Sequence, residues 1–123
     1  MTDRMTGHNR ALGDYGERRA AEHLHQLGMV VLDRNWRCDE GELDLVLRDG
    51  RALVACEVKT RSSLDYGSPH EGVTDQKRAR LQRLALRWTE EHHVRVPEIR
   101  VDLVAVLRPR SGPAVVEHVR GIC

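Results

Sequence analysis

The stretch GELDLVLR-DG-RALVACEVKTR, residues 41–61, reads as two strands joined by a tight turn. Apolar and polar residues alternate through 41–48, and Asp49-Gly50 supplies two residues that tolerate positive φ. A two-residue loop there pairs Arg48 with Arg51 and Leu47 with Ala52. Continued inward, that register sets Asp44 opposite Ala55 and Glu42 opposite Glu57. Side chains alternate along each strand, and opposed residues share a face. Glu42, Asp44, Glu57 and Lys59 then emerge together, with Asp44 and Glu57 diagonal neighbours about 6–8 Å apart at Cα. Leu43, Leu45, Val54, Cys56 and Val58 make the opposite, core-facing side.

Outward from this hairpin the chain punctuates itself clearly. Residues 11–27 read as a helix with Leu12, Gly16, Ala20, Leu24 and Leu27 on one stripe, and Gly28 stands where a helix-ending glycine belongs. Residues 29–36 begin with an apolar, β-branched run and read as a first strand. Residues 62–72 are loop-like, rich in Ser, Gly and Pro. Residues 74–93 read as a second helix, capped by Thr74 or Asp75, with Leu81, Leu84, Ala85 and Trp88 on its apolar stripe. Strands follow at 99–107 and 114–122, with a turn at 108–113 between them. The order is α-β-β-β-α-β-β. This is an α/β domain spanning 11–123, behind a loose tail at 1–10.

Composition narrows the class. A chain of 123 residues makes one domain of ordinary size. There is no Phe, so the core must be built from Leu, Val and Ala. Twenty basic against 19 acidic residues leave a net charge of +1, which excludes a polycation or an acidic tail protein. It does not exclude nucleic-acid binding, because a basic surface can surround an acidic site. No apolar run is long enough to span a bilayer, and residues 1–10 show no secretion signal. Cys38, Cys56 and Cys123 are odd in number and lack metal-ligand spacing, which fits a reducing cytoplasm.

Three carboxylates and an amine on one sheet face need a reason, since like charges facing each other destabilise a sheet. A divalent cation removes that penalty. Mg²⁺ and Mn²⁺ take hard oxygen ligands, often one or two carboxylates with waters and substrate phosphate. Glu17 stands on or beside the apolar stripe of the first helix, where burying an unpaired charge is costly. It reads equally as a first-turn acid favoured by the helix dipole. Lys77 stands near the apolar stripe of the second helix and reads either as a site residue or as a snorkelling lysine. Lys59 and Lys77 are the two lysines of a chain with eighteen arginines. A compact ammonium suits a place beside a water and a phosphate better than a guanidinium does. Arg80, Arg83 and Arg87 flank the second helix's apolar face and could track a phosphate backbone or form a solvated face. Tyr66 lies in a loop close to this site. Trp36 and Trp88 read as core or boundary residues.

Asp44, then Glu57-Val58-Lys59 on the next strand, with a helical Glu17 before them, resembles the D…(D/E)-x-K nuclease signature. More narrowly, the chain resembles the YraN-like family of endonuclease-like proteins. The matching strings are Gly13-x-x-Gly16-Glu17, Arg34-Asn35-Trp36-Arg37, Gly41-Glu42-Leu43-Asp44-Leu45, Glu57-Val58-Lys59-Thr60-Arg61, Tyr66-Gly67 and Lys77. Leu43 stands where the general signature has a proline. The resemblance implies a restriction-endonuclease-like core with a mixed central sheet flanked by helices. It also implies kinship with archaeal Holliday-junction resolvases, and with it homodimers and branched DNA. On this reading Asp44, Glu57, the Val58 carbonyl and Glu17 hold Mg²⁺ or Mn²⁺, and Lys59 orients the attacking water. Arg61, Tyr66, Lys77, Arg80 and Arg83 position nucleic acid, with DNA the expected substrate. The alternatives are a DNA-binding accessory module that does not cut, and a protein-interaction domain. The last strand and the Gly121–Cys123 tail could pair with a second subunit.

Overall fold

The computed structural model describes residues 7–62 and 73–122. Tyr66, most of the 62–72 loop and Cys123 lie outside them. The elements are α1 (Gly7–Gln26), β1 (Val30–Cys38), β2 (Gly41–Asp49), β3 (Ala52–Arg61), α2 (Asp75–Glu91), β4 (Glu98–Leu107) and β5 (Val115–Val119). The five strands form one sheet in sequence order. β3 and β4 run parallel and every other neighbouring pair runs antiparallel. A parallel pair requires a crossover, and α2 supplies it. The mixed α/β architecture is the expected one.

Each helix covers one sheet face. Ala20, Ala21 and Leu24 of α1 bury against Leu45, Leu47, Val54, Cys56, Val104 and Val106. Leu81, Leu84, Ala85 and Trp88 of α2 bury against Leu43, Val46, Leu53, Ala55 and Val101. With both faces covered, the central strands carry nearly continuous apolar runs.

Both helix ends follow local chemistry. Thr74 caps α2, its hydroxyl accepting from the Lys77 amide at 3.0 Å. Past α1, the Gly28 amide donates to the His25 carbonyl and the Met29 amide to Leu24, with Gly28 at φ +95°. That is the Schellman ending, and it needs a residue free to adopt positive φ. Two expectations are corrected here. α1 begins at Gly7, inside the stretch read as a tail. Leu27, read as the last residue of the stripe, lies past the helix and is 56% exposed.

Gly16 sets the distance between α1 and β3. A methyl group on it would run into the Thr60 side chain, within 2.8 Å of Thr60 Cβ. Overpacking of this kind costs roughly 1–3 kcal/mol. Gly16→Ala should therefore lower the urea midpoint by a comparable stability, and Thr60→Ser, which removes one of the obstructing atoms, should recover part of it. An unchanged midpoint would show that α1 lifts freely from the sheet.

The hairpin register differs from the sequence expectation. Asp49 pairs with Ala52, Leu47 with Val54 and Leu45 with Cys56. The loop residues are therefore Gly50 and Arg51, of which only Gly50, at φ +61°, lies at positive φ. A turn with glycine first needs one positive φ, whereas Asp49-Gly50 would need two. Asp49 instead stays in the strand, where its carboxylate accepts from Arg100 at 2.9 Å. The shift is two residues, so the side chains of the paired stretch, 45–49 with 52–56, keep their faces.

Candidate active site

Pairing between β2 and β3 stops at Leu45 and Cys56. Asp44 and Glu57 are the next residues along the two strands, just past the last paired position. β2 turns away here: Leu43 and Leu45 belong to opposite core clusters although they are two residues apart. This corrects the expectation that both share the core-facing side. Asp44 spans the opening itself, its Oδ2 accepting the Val58 amide at 2.8 Å. A side-chain carboxylate thereby does the work of a ladder carbonyl, which fixes its position against β3.

Beyond this junction lies a cavity of about 380 Å³, lined by Gly41, Glu42, Asp44, Glu57, Lys77 and Arg80 among others. Glu57 continues the β3 row of Leu53 and Ala55, which packs under α2. Lys77, in the first turns of α2, forms an ion pair with Glu57. Gly41 admits the close approach of α2: its φ is +145°, and a Cβ there would stand 3.3 Å from a Leu84 methyl.

The electrostatics are those of a crowded acid cluster. Burial pushes the Asp44 carboxyl up to about 7; the Val58 amide opposes this, and the charges of Glu17, Glu57 and Glu42 add to it. Burial likewise raises Glu17; a hydrogen bond with Asn35 counters it, and Asp14 and Glu42 reinforce it. Burial lowers Lys59, with the neighbouring Lys77 adding to the effect and Glu57 opposing it. Glu57 thus acts on both Asp44 and Lys59.

Glu17 is placed differently from the sequence expectation. Since α1 begins at Gly7, Glu17 lies mid-helix and is not a first-turn acid. It lines a separate cavity with Asp14, Arg34 and Asn35, and reaches the Asp44 cluster through its field. Arg80 lines the Asp44 cavity, whereas Arg61 and Arg83 are exposed and do not line it. Among the described residues, no three His, Cys, Asp or Glu side chains gather closely enough to hold a metal by themselves.

Asn35 had no assigned role in the sequence. It adopts φ +51° on β1, a conformation that asparagine tolerates better than most residues. The two tryptophans are buried, and their indoles staple β1 to α2. Trp36 donates to Glu91 at 2.9 Å and Trp88 to Asp33 at 2.8 Å. Arg87, read as part of a phosphate-tracking stripe, pairs with Asp39 and Glu40.

These features define a mixed α/β domain with a partly buried acidic cluster where a β-hairpin splays open. The chain belongs to the uncharacterised protein family UPF0102, whose model matches residues 16–106. It is 66% identical over 112 residues to a UPF0102 protein of Nocardioides sp., covering 91% of this chain and 90% of that one. A UPF0102 protein of Beutenbergia cavernae is 59% identical over 112 residues, with 91% and 95% covered. One of Frankia casuarinae is 56% identical over 111 residues, with 90% and 94% covered. The matched span takes in Glu17, Asp44, Glu57, Lys59 and Lys77. These relatives' names state no activity.

Proposed function

We propose that this protein is a divalent-metal-dependent nuclease that hydrolyses phosphodiester bonds of DNA in the cytoplasm. The observation that carries this reading is that Asp44 and Glu57 line one cavity at the open end of the hairpin, with Asp44 raised to about 7 by burial and by three neighbouring carboxylates. A group in that state is short of positive charge. Its donors are hard oxygens, and two carboxylates with a carbonyl fit Mg²⁺ or Mn²⁺ completed by waters and phosphate. Asp44, Glu57 and the Val58 carbonyl would hold the ion, with Glu17 joining through water. When bound, such an ion acidifies a water ligand and neutralises the scissile phosphate.

The chain's own groups do the rest. The Val58 amide fixes the Asp44 carboxylate. Lys59, two residues beyond Glu57, orients the attacking water and offsets charge building on the phosphate oxygens. Lys77 holds Glu57 in place through their ion pair. Arg80 at the cavity and the exposed Arg61 and Arg83 engage the backbone phosphates. β5 is one edge of the sheet, and a homodimer would pair there. No helix of the described residues is long and apolar enough to cross a membrane.

One observation favours a second reading, a module that grips DNA without cutting it. The Lys77 ammonium already sits on Glu57, so a built-in cation partly takes the place of a metal. Cleavage of labelled single-stranded, duplex, flap and four-way-junction DNA separates the two, each run with Mg²⁺, Mn²⁺ or EDTA. The nuclease reading expects metal-dependent products, lost by at least about 100-fold in Lys59→Ala while DNA binding remains. Tight, metal-independent binding without products would replace it with the accessory module.

A further inference from the structure

On the α1 side of the sheet, two cavities adjoin and share Arg18 and Arg34. The one of about 480 Å³ contains Glu17 and Asn35, and Glu17 is among the charges that act on Asp44. The other, of about 490 Å³, lies between α1 and β1. Its floor is Ala21, Val30 and Val31, and its rim carries Arg18, Arg34 and His25. Glu22, its remaining wall residue, is already paired with Arg19 at 2.6 Å. Arg18 donates to the Asp14 main-chain carbonyl at 3.4 Å, and its guanidinium has no carboxylate partner among the described residues. Arg34 acts on Glu17 through its field and likewise has no ion pair among the described residues.

Two guanidiniums over an aliphatic floor match the chemistry of a nucleotide. Their planes stack on base faces, their N–H forks hold phosphate oxygens, and the floor covers the apolar face of the base. A base inside a duplex cannot enter, because its faces are covered by the stack and its edge by its partner. We propose that this cavity receives an unpaired nucleotide of the DNA strand, its base over Ala21, Val30 and Val31 and its phosphate between Arg18 and Arg34. The proposal rests on the nuclease reading and deepens it. The Asp44 cavity lies on the α2 side, so on this proposal the strand reaches the seat by passing round the sheet's β1 edge at Glu17, and the protein recognises an unpaired nucleotide on the strand that it cuts.

The test is equilibrium binding of the full chain in EDTA to a fluorescein-labelled duplex carrying a single-stranded overhang, against the same duplex blunt-ended. The wild type should prefer the overhang by about 10-fold, the scale of one stacked base. In Arg18→Ala/Arg34→Ala and in Val30→Asp the preference should fall to about 1. All three side chains are exposed, and the melting temperature of each variant verifies its fold. Equal binding of both DNAs by the wild type overturns the seat, as does a preference that survives in the folded variants. In either case metal-dependent cleavage would leave the nuclease reading standing. No DNA binding and no cleavage would remove both. A wild type that sediments as a dimer, with Val30→Asp a monomer, would mean that a second copy covers the floor, and would also overturn the proposal.

Discussion

Asp44→Asn should abolish metal-dependent cleavage, by at least about 100-fold, and at the same time raise the melting temperature of the metal-free protein by about 3 °C or more. The amide has the shape of the acid, and its oxygen can still accept the Val58 amide. What it removes is a charge that burial, Glu17, Glu57 and Glu42 all oppose. The folded carboxyl titrates near 7 against an ordinary value of 3.8, so the folded state holds that proton more tightly than the unfolded chain does. This group's contribution is therefore full below about pH 4 and is lost as pH rises through 7. The variant has no such titration. Its advantage over the wild type should be small near pH 4 and complete above pH 7, as read by thermal melts across that range. Mn²⁺ should stabilise the wild type above pH 7 and leave Asp44→Asn unmoved. Retained cleavage would remove Asp44 from the reaction. A variant less stable than wild type at pH 8 would show that the carboxylate is structural.

Much of this arrangement was legible in residues 41–61, for a reason particular to strands. Any register error of an even number of residues preserves faces. Placing the loop at Asp49-Gly50 and not at Gly50-Arg51 therefore left the faces of the paired stretch intact, and Asp44 and Glu57, just past it, line one cavity. What stayed hidden was decided by contacts distant in sequence. The pleat breaks at Asp44 because its side chain bonds Val58, fourteen residues on; periodicity sees no such bond and kept Leu43 with Leu45. The first-turn alternative for Glu17 arises because a polar stretch containing Gly7 gives no helix signal, yet α1 starts there. Asn35 gave one usable sign, its tolerance of positive φ, but nothing in its neighbours says that Glu17 will lie against it. Asp102 gave none. In IRVDLVAVL it is an acid in the middle of a strand, and its partners come from β4, β5 and the tail.

That residue carries the largest stability effect expected. Asp102 is 0% exposed and accepts four hydrogen bonds: two from Arg100 at 2.9 and 3.1 Å, one with His118 at 2.8 Å and one from the Gly121 amide at 3.0 Å. Arg100 passes the connection on to Asp49 at the end of the hairpin. One carboxylate thus ties the β2–β3 turn, β4, β5 and the tail together. Asp102→Ala should cost about 3–5 kcal/mol in urea unfolding, because it takes the shared acceptor from Arg100, His118 and the Gly121 amide in a dry setting and leaves Arg100 only Asp49. The Arg100 side chain is only 12% exposed, and that of His118 only 7%. Asp102→Asn keeps an acceptor and should cost less. A loss below about 1 kcal/mol for the alanine variant would mean that water replaces the carboxylate. The pH dependence has the opposite sign to that of Asp44. Burial pushes Asp102 up, but His118, Arg100 and the Gly121 amide outweigh it and hold the carboxyl at about 2. Its stabilisation is present above the unfolded value near 3.9 and is lost as pH falls through 2, on the order of 2–3 kcal/mol. The alanine variant should lack that acid limb. The joint contribution of the two aspartates to the metal-free protein's stability is greatest near pH 4, where Asp44 is protonated in the folded state and Asp102 is still ionised. Bound metal, by holding Asp44 ionised, should carry that stability up toward neutral pH.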